Sequence, residues 1–242
     1  LSVVNLITHD IEVPQIQNGD SLGREYTSIR QADRVDIIVA NPPFGGVVGD
    51  GMETNFPLNY RTKESADLFL ILFIQLLNDR GRAGIVLPDG SLTGDGVKQR
   101  VRQKLLEDCN VHTIVRLPQS VFAPYATVNT NLIFFEKGNK TKEIWYYEHT
   151  LPEGAKAYSK TKPIRIEEFD TIKEWWNNRA ESEVAWKVPM QVIIDRNFDL
   201  DIKNPNKVVE EVVYDRKAII QNLENSFKKS LEILNKLSTS EK

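Results

Sequence analysis

The four consecutive residues Asn41-Pro42-Pro43-Phe44 carry the most explicit chemistry in this 242-residue chain. Two successive prolines fix φ at about −65° and remove two N–H donors, leaving carbonyls with no neighbouring donor of their own to consume them. Asn41 adds an amide oxygen on the same rim, and Phe44 adds an aromatic face. Acceptors beside an aromatic plate suit a flat substrate bearing an NH2 group, such as the exocyclic amine of adenine. The lone pair of that nitrogen is delocalised into the ring and attacks poorly. The Asn41 side-chain oxygen and the Pro42 carbonyl, gripping its two hydrogens out of the ring plane, would favour a pyramidal nitrogen able to attack a methyl sulfonium in line. No prior deprotonation is needed, so no His or Cys is required, and none is nearby in sequence. Phe44 would stack on the base, worth about 1–3 kcal/mol, and a base in duplex DNA must first leave the stack.

Positioning this motif falls to the elements around it. The β-branched run Val35-Asp36-Ile37-Ile38-Val39-Ala40 stops at the motif and predicts a strand buried on both faces, as in a parallel sheet. In open α/β sheets ligands bind beyond the carboxyl ends of the strands, where residues 41–44 would lie. Helical periodicity over 64–78, through Leu68, Ile71, Leu72 and Leu76, ends at Arg80-Gly81 and leads into a strand at 83–87. The turn Pro88-Asp89-Gly90 and a glycine-rich loop precede a helix over 97–107 and a strand over 111–117. This alternation predicts a doubly wound α/β sheet. Two further strands, 130–135 and 143–147, follow with no helix between them and predict an antiparallel hairpin at one end of the sheet.

The rest of the chain is less regular. Residues 150–163 are weakly patterned, and 167–179, with Phe169, Ile172, Trp175 and Trp176, predict a short amphipathic helix in a peripheral elaboration. From 208 to 237 the residues Val209, Val212, Val213, Ile220, Leu223, Phe227, Leu231, Leu234 and Leu237 form one apolar stripe on a long helix. That helix either lies back on its own domain or offers a seam to a partner, and Asn204-Pro205-Asn206 separates it from the globular part. The predicted organisation is a partial catalytic domain over 1–150, an α/β elaboration over 151–204 and a docking helix over 205–242.

Hydrophobic residues make up 40% and charged residues 27%, the balance of an ordinary globular protein with a real core. One cysteine, Cys109, excludes a disulfide framework and a Cys-rich zinc site and fits a reducing interior. The longest apolar stretch, 68–77, is too short to span a bilayer. With Lys+Arg 31 against Asp+Glu 34, the net charge of −3 gives no footprint for autonomous nucleic-acid binding, so a partner must supply much of any grip on DNA. His9, His112 and His149 share no metal-ligand spacing with one another or with Cys109, and no metal site is expected.

The run Asp36-Ile37-Ile38-Val39-Ala40-Asn41-Pro42-Pro43-Phe44-Gly45 resembles the catalytic motif of S-adenosylmethionine-dependent N6-adenine DNA methyltransferases. Protein-glutamine and some RNA guanine methyltransferases share the four-residue core. Further segments follow in order: Ser65-Ala66-Asp67-Leu68-Phe69-Leu70, Gly81-Arg82-Ala83-Gly84-Ile85-Val86-Leu87-Pro88-Asp89-Gly90, the stretch 105–118, and Thr130-Asn131-Leu132-Ile133-Phe134-Phe135-Glu136-Lys137-Gly138. Together with Asn197-Phe198-Asp199-Leu200-Asp201-Ile202 they make the chain similar to the modification subunit of type I restriction-modification systems over most of its length. The resemblance implies a Rossmann-like methyltransferase sheet and S-adenosylmethionine as cofactor. It implies that Asn41, Pro42, Pro43 and Phe44 serve the target amine and base, and that Asp20, Ala66, Asp67 and Phe69 serve the cofactor. Expected partners are DNA, a specificity subunit that docks on the terminal helix, and a restriction subunit, in the cytoplasm and without membrane contact.

That family holds the methionine end of its cofactor on a glycine-rich loop after the first strand, with an acidic residue after the second. Neither precedes Asp20. Gly45-Gly46-Val47-Val48-Gly49-Asp50-Gly51 follows the motif rather than opening a helix, and is expected to be a flexible lid or target-base loop. The chain is therefore expected to be the C-terminal portion of a modification subunit, binding cofactor weakly or not at all when alone. Without catalysis it would act as an assembly module. Lys137, Lys140, Lys142, Lys156, Lys160 and Lys162, near Trp145, Tyr146 and Tyr147, make modest basic spots, read as a solvated edge or a DNA backbone contact.

Overall fold

A computed structural model describes residues 2–207 and 216–239, which fall into two units, Leu1–Asn206 and Lys207–Lys242. The first unit contains α1 (Ser2–Ile7), β1 (Val35–Ala40), α2 (Ser65–Leu76), β2 (Leu77–Pro88), α3 (Asp89–Leu92), α4 (Val97–Asp108) and β3 (Cys109–Leu117). It continues with β4 (Thr130–Lys137), β5 (Glu143–Glu148), α5 (Asp170–Asn177), β6 (Ala185–Pro189) and α6 (Met190–Asp195). One six-stranded mixed sheet runs in the order β1-β2-β4-β3-β5-β6. Strands β1 and β2 are parallel, as are β3 and β5, while β4 and β6 run antiparallel to their neighbours. Among the described residues no helix is long and apolar enough to cross a membrane.

Two expectations change. Strands β4 and β5 do not pair: β4 inserts between β2 and β3, and β5 lies on the far side of β3. The cause is visible in β4, where Asn131, Ile133 and Phe135 are buried on one face and Leu132 and Phe134 half-buried on the other, so it gains most by having a neighbour on each edge. The loop after it then crosses the start of β3, where the Thr141 hydroxyl accepts from the Val111 N–H and donates to the Cys109 carbonyl. Strand β1 is not buried on both faces either. It ends the sheet among the described residues; Ile38 reaches the core, but Val35, Ile37 and Val39 are exposed, Val39 at 86%.

The core explains the remaining order. Helices α2 and α4 cover one face of the sheet, packing Leu68, Ile71, Val101 and Leu105 with Ile85, Ile114, Ile133 and Phe135. Each such side chain, fully buried, contributes about 1.5–3 kcal/mol. Helix α2 is apolar nearly all round because nine of its twelve residues are buried. It ends where the Lys137 ammonium, reaching back from β4, donates to the Ile74 and Leu77 carbonyls at 2.8 and 2.9 Å. A cation at those orphan carbonyls closes the helix. On the other face α5 packs Ile172, Trp175 and Trp176 against Val115, Tyr147 and Phe134. Trp186, Val188, Ile193 and Leu200 join the main core, so the segment beyond 151 finishes the sheet.

In the second unit α7 spans Arg216–Thr239, and its Ile220, Leu223, Phe227 and Leu231 are exposed. Val209, Val212 and Val213 of the predicted stripe lie outside the described residues.

Candidate active site

The motif turns over at the carboxyl end of β1, one residue past the pairing of Ala40 with Ile85. Pro42 is buried, Asn41 and Pro43 are exposed and Phe44 is half-buried. The first turn of α2 clamps this turn. The Ser65 hydroxyl donates to the Pro43 carbonyl at 3.2 Å, and the Ser65 N–H donates to the Gly46 carbonyl at 3.0 Å. A Cβ on Gly46 would stand 2.8 Å from the Ser65 oxygen, so a side chain there would push that hydroxyl away from Pro43. Val48 N–H donates to the Lys63 carbonyl at 2.9 Å, and Val47 bridges Glu64. The loop expected to be a flexible lid is therefore stitched to the helix at residues 46–48. With Pro43 held by Ser65, neither the Asn41 side-chain amide nor the Pro42 carbonyl is claimed by a hydrogen bond among the described residues.

A second aromatic ring stands beside the motif. Phe122 meets Phe44 edge to face, with centroids 5.0 Å apart and planes at 83°. It comes from residues 118–129, which leave the carboxyl end of β3. Sequence reasoning passed over it because the segment, with Pro118 and Pro124, reads as an ordinary connection; the apolar pair Val121-Phe122 between two prolines was the available signal. The same end of the sheet carries a polar network. Asp89 accepts from Asn131 at 2.7 Å and from Asn129 at 3.2 Å, and Arg116 reaches Asp201 at 2.7 Å and Asp89 at 3.5 Å. The Asn131 side-chain oxygen is buried without a partner.

The residues expected to face a cofactor divide into two groups. Ala66, Asp67 and Phe69 share the first turns of α2 with Ser65, so they adjoin the motif. Asp67 is 1% exposed, and burial pushes its carboxyl above the usual carboxylate range. Its Oδ2 lies 3.4 Å from the Lys98 ammonium, ion-pair range without hydrogen-bond geometry, and is otherwise unpartnered. The half-buried Phe69 ring lies 5.7 Å from Phe73. Asp20 is not joined to this group by any hydrogen bond. Its carboxylate accepts from the Leu22 N–H at 2.9 Å and its carbonyl from the Gly23 N–H at 3.1 Å, which makes it the hinge of a turn.

The other singled-out residues have structural partners. Among the described residues no three His, Cys, Asp or Glu side chains converge as metal ligands would. His9 bonds the Asn5 carbonyl, and His112 stands edge-on to Trp176 with its imidazole pushed down to about 4 by burial and then by Arg179. Cys109 is buried, and burial pushes its thiol up to about 12. Lys137 is taken by the end of α2, and Tyr146 and Tyr147 are buried in the sheet. Of the six lysines of the basic spots, Lys137 is thereby accounted for, while Lys140, Lys142, Lys156, Lys160 and Lys162 are exposed.

Comparison with known proteins places these features in context. The profile of the family described as N-6 DNA Methylase matches residues 1–212. The type I restriction enzyme EcoEI methylase subunit of Escherichia coli is 52% identical over 213 residues, covering 85% of this chain and 43% of that protein. A solved modification subunit assigned to a type I restriction enzyme of Vibrio vulnificus YJ016 is 43% identical with a TM-score of 0.80, over 84% of this chain and 45% of that one. A structure addressing complex assembly and conformational transition of the type I restriction-modification system matches 97% of this chain and 50% of its own, at 36% identity and a TM-score of 0.79. The chain spans about half the length of these relatives, or less.

Proposed function

Because this chain belongs to the N-6 DNA methylase family, we propose that it carries the target-amine half of a DNA adenine-N6 methyltransferase, within the modification subunit of a type I restriction-modification system. The observation that carries the reading is the motif's hydrogen bonding: Ser65 holds Pro43, while the Asn41 amide oxygen and the Pro42 carbonyl stay unclaimed. These two acceptors grip the amine hydrogens, and Phe44 stacks on the extruded base. The nitrogen proton leaves after attack, so no general base of high pKa is needed.

The methyl donor is S-adenosylmethionine, which supplies an electrophilic methyl on a sulfonium. Asp67, whose buried Oδ2 is ion-paired with the Lys98 ammonium at 3.4 Å, would meet an N–H-bearing group of the cofactor beside that lysine, and Ala66 and Phe69 next to it would offer apolar contact. Asp20, an exposed turn residue, would reach the cofactor with the carboxylate oxygen that Leu22 does not use. The partners are DNA, a specificity subunit and a restriction subunit in the cytoplasm. The net charge of −3 supports leaving much of the phosphate contact to the partner. The exposed Ile220, Leu223, Phe227 and Leu231 of α7 are the docking stripe for the specificity subunit. The test is replacement of Asn41 by Ala in the full assembly: adenine methylation should be lost while the complex stays intact, and unchanged methylation would sink the assignment.

A further inference from the structure

The loop carrying Phe122 is held from behind by residues the methyl-transfer chemistry does not use. Ser120, two residues before Phe122, accepts the Tyr158 backbone N–H at 2.8 Å. Tyr158 is itself fixed: its ring is buried, its hydroxyl donates to the Glu168 carboxylate, and His149 Nε2 lies 3.2 Å from the same hydroxyl. His149 stacks on Phe169 at 5.1 Å and 9°, and its backbone N–H donates to the Arg116 carbonyl of β3 at 2.9 Å. The other Glu168 oxygen accepts the Arg165 N–H at 2.8 Å. The loop's own bonds, Ala123 N–H to Ser120 and Tyr125 N–H to Phe122, set its local shape. Ser120 is its hydrogen-bonded tie to the segment beyond β5.

We propose that Ser120 and Tyr158 are positioning residues that hold Phe122 edge-on to Phe44, so that the two rings form the mouth of the target-base pocket. The inference rests on the adenine-methyltransferase reading above. Neither residue touches the base. They act through the loop, and a shift of about 1 Å in a positioned group can cost on the order of a hundredfold in rate.

The test uses the complete methyltransferase assembly, with plasmid DNA carrying its sites as the probe and a single-turnover methyl-transfer rate as the readout. Ser120→Ala should slow transfer about tenfold with KM for DNA at the wild-type value and the thermal midpoint lowered by only a few degrees, and Ser120→Thr, which keeps the hydroxyl, should restore the rate to within about twofold. Tyr158→Phe should slow transfer in the same direction by about threefold, and it decides the matter if Ser120→Ala does not fold. Wild-type rates in Ser120→Ala and Tyr158→Phe, beside an inactive Asn41→Ala control, overturn the proposal and leave the function standing. Equal slowing in Ser120→Thr and Ser120→Ala also overturns it. An active Asn41→Ala control instead removes the reading on which the proposal rests.

Discussion

Arg102 offers a test of how the loop at the carboxyl end of β2 is kept in place. The side chain is 2% exposed, and its guanidinium donates to three backbone carbonyls: Phe198 at 2.6 Å, Thr93 at 2.7 Å and Gly94 at 2.5 Å. Burial pulls its pKa below the ordinary arginine value, so the desolvation cost is real and offsets part of what the three bonds contribute. Arg102→Met keeps the stem and removes the donors, stranding three carbonyls at about 1–3 kcal/mol each before any rehydration. Allowing for partial access of water, the net loss should be about 3–5 kcal/mol, the range for breaking one side of a buried charged contact. For a chain of this size that lowers the thermal midpoint by about 10 °C. Arg102→Lys, a single point charge without the planar fork, should lose roughly half as much. Urea denaturation followed by circular dichroism measures both. A loss below ~1 kcal/mol in Arg102→Met would refute the reasoning, because surface-like substitutions fall in that range.

Three other outcomes follow from the same geometry. Gly46→Ala should displace the Ser65 hydroxyl from Pro43, so it and Ser65→Ala should each reduce methylation by the full assembly, with the double variant no worse than the more damaging single one; additive losses would show that the two act separately. Cys109 should resist thiol reagents at pH 8 in the native chain and react on unfolding, since it is buried with its pKa raised to about 12; rapid native labelling would contradict this. His112, pushed down to about 4, is held neutral by folding. The unfolded chain therefore binds the proton first, and stability complete above about pH 6.5 should fall as pH drops toward 4. Urea titrations across that window should show a flatter dependence in His112→Gln, and equal slopes would remove the assignment.

Much of this arrangement was legible because short-range patterns carry it. The β-branched run before Asn41, the apolar face of 64–78 and the glycines at 94 and 96 fix β1, α2 and the entry to α4 within a residue or two. Pairing was not legible. A five-residue loop between two strands reads as a hairpin, and nothing local in 138–142 shows that the chain crosses β3 before pairing resumes. The run 35–40 reads as buried on both faces, yet no element among the described residues covers Val35, Ile37 and Val39. At the site, the acceptors came from residue chemistry alone. The clamp by Ser65 and the ring of Phe122 depend on close approaches between segments 22 and 78 residues apart, which no periodicity encodes.

The account's central claim is that Asn41 and the Pro42 carbonyl grip an adenine amine. Its most direct test is mass spectrometry of DNA incubated with labelled S-adenosylmethionine and the assembly carrying this chain, wild type or Asn41→Ala. The account predicts N6-methyladenine with the wild type and a loss of at least about a hundredfold with the variant, the scale of removing one positioned transition-state group. Undiminished N6-methyladenine from an intact Asn41→Ala assembly would contradict it.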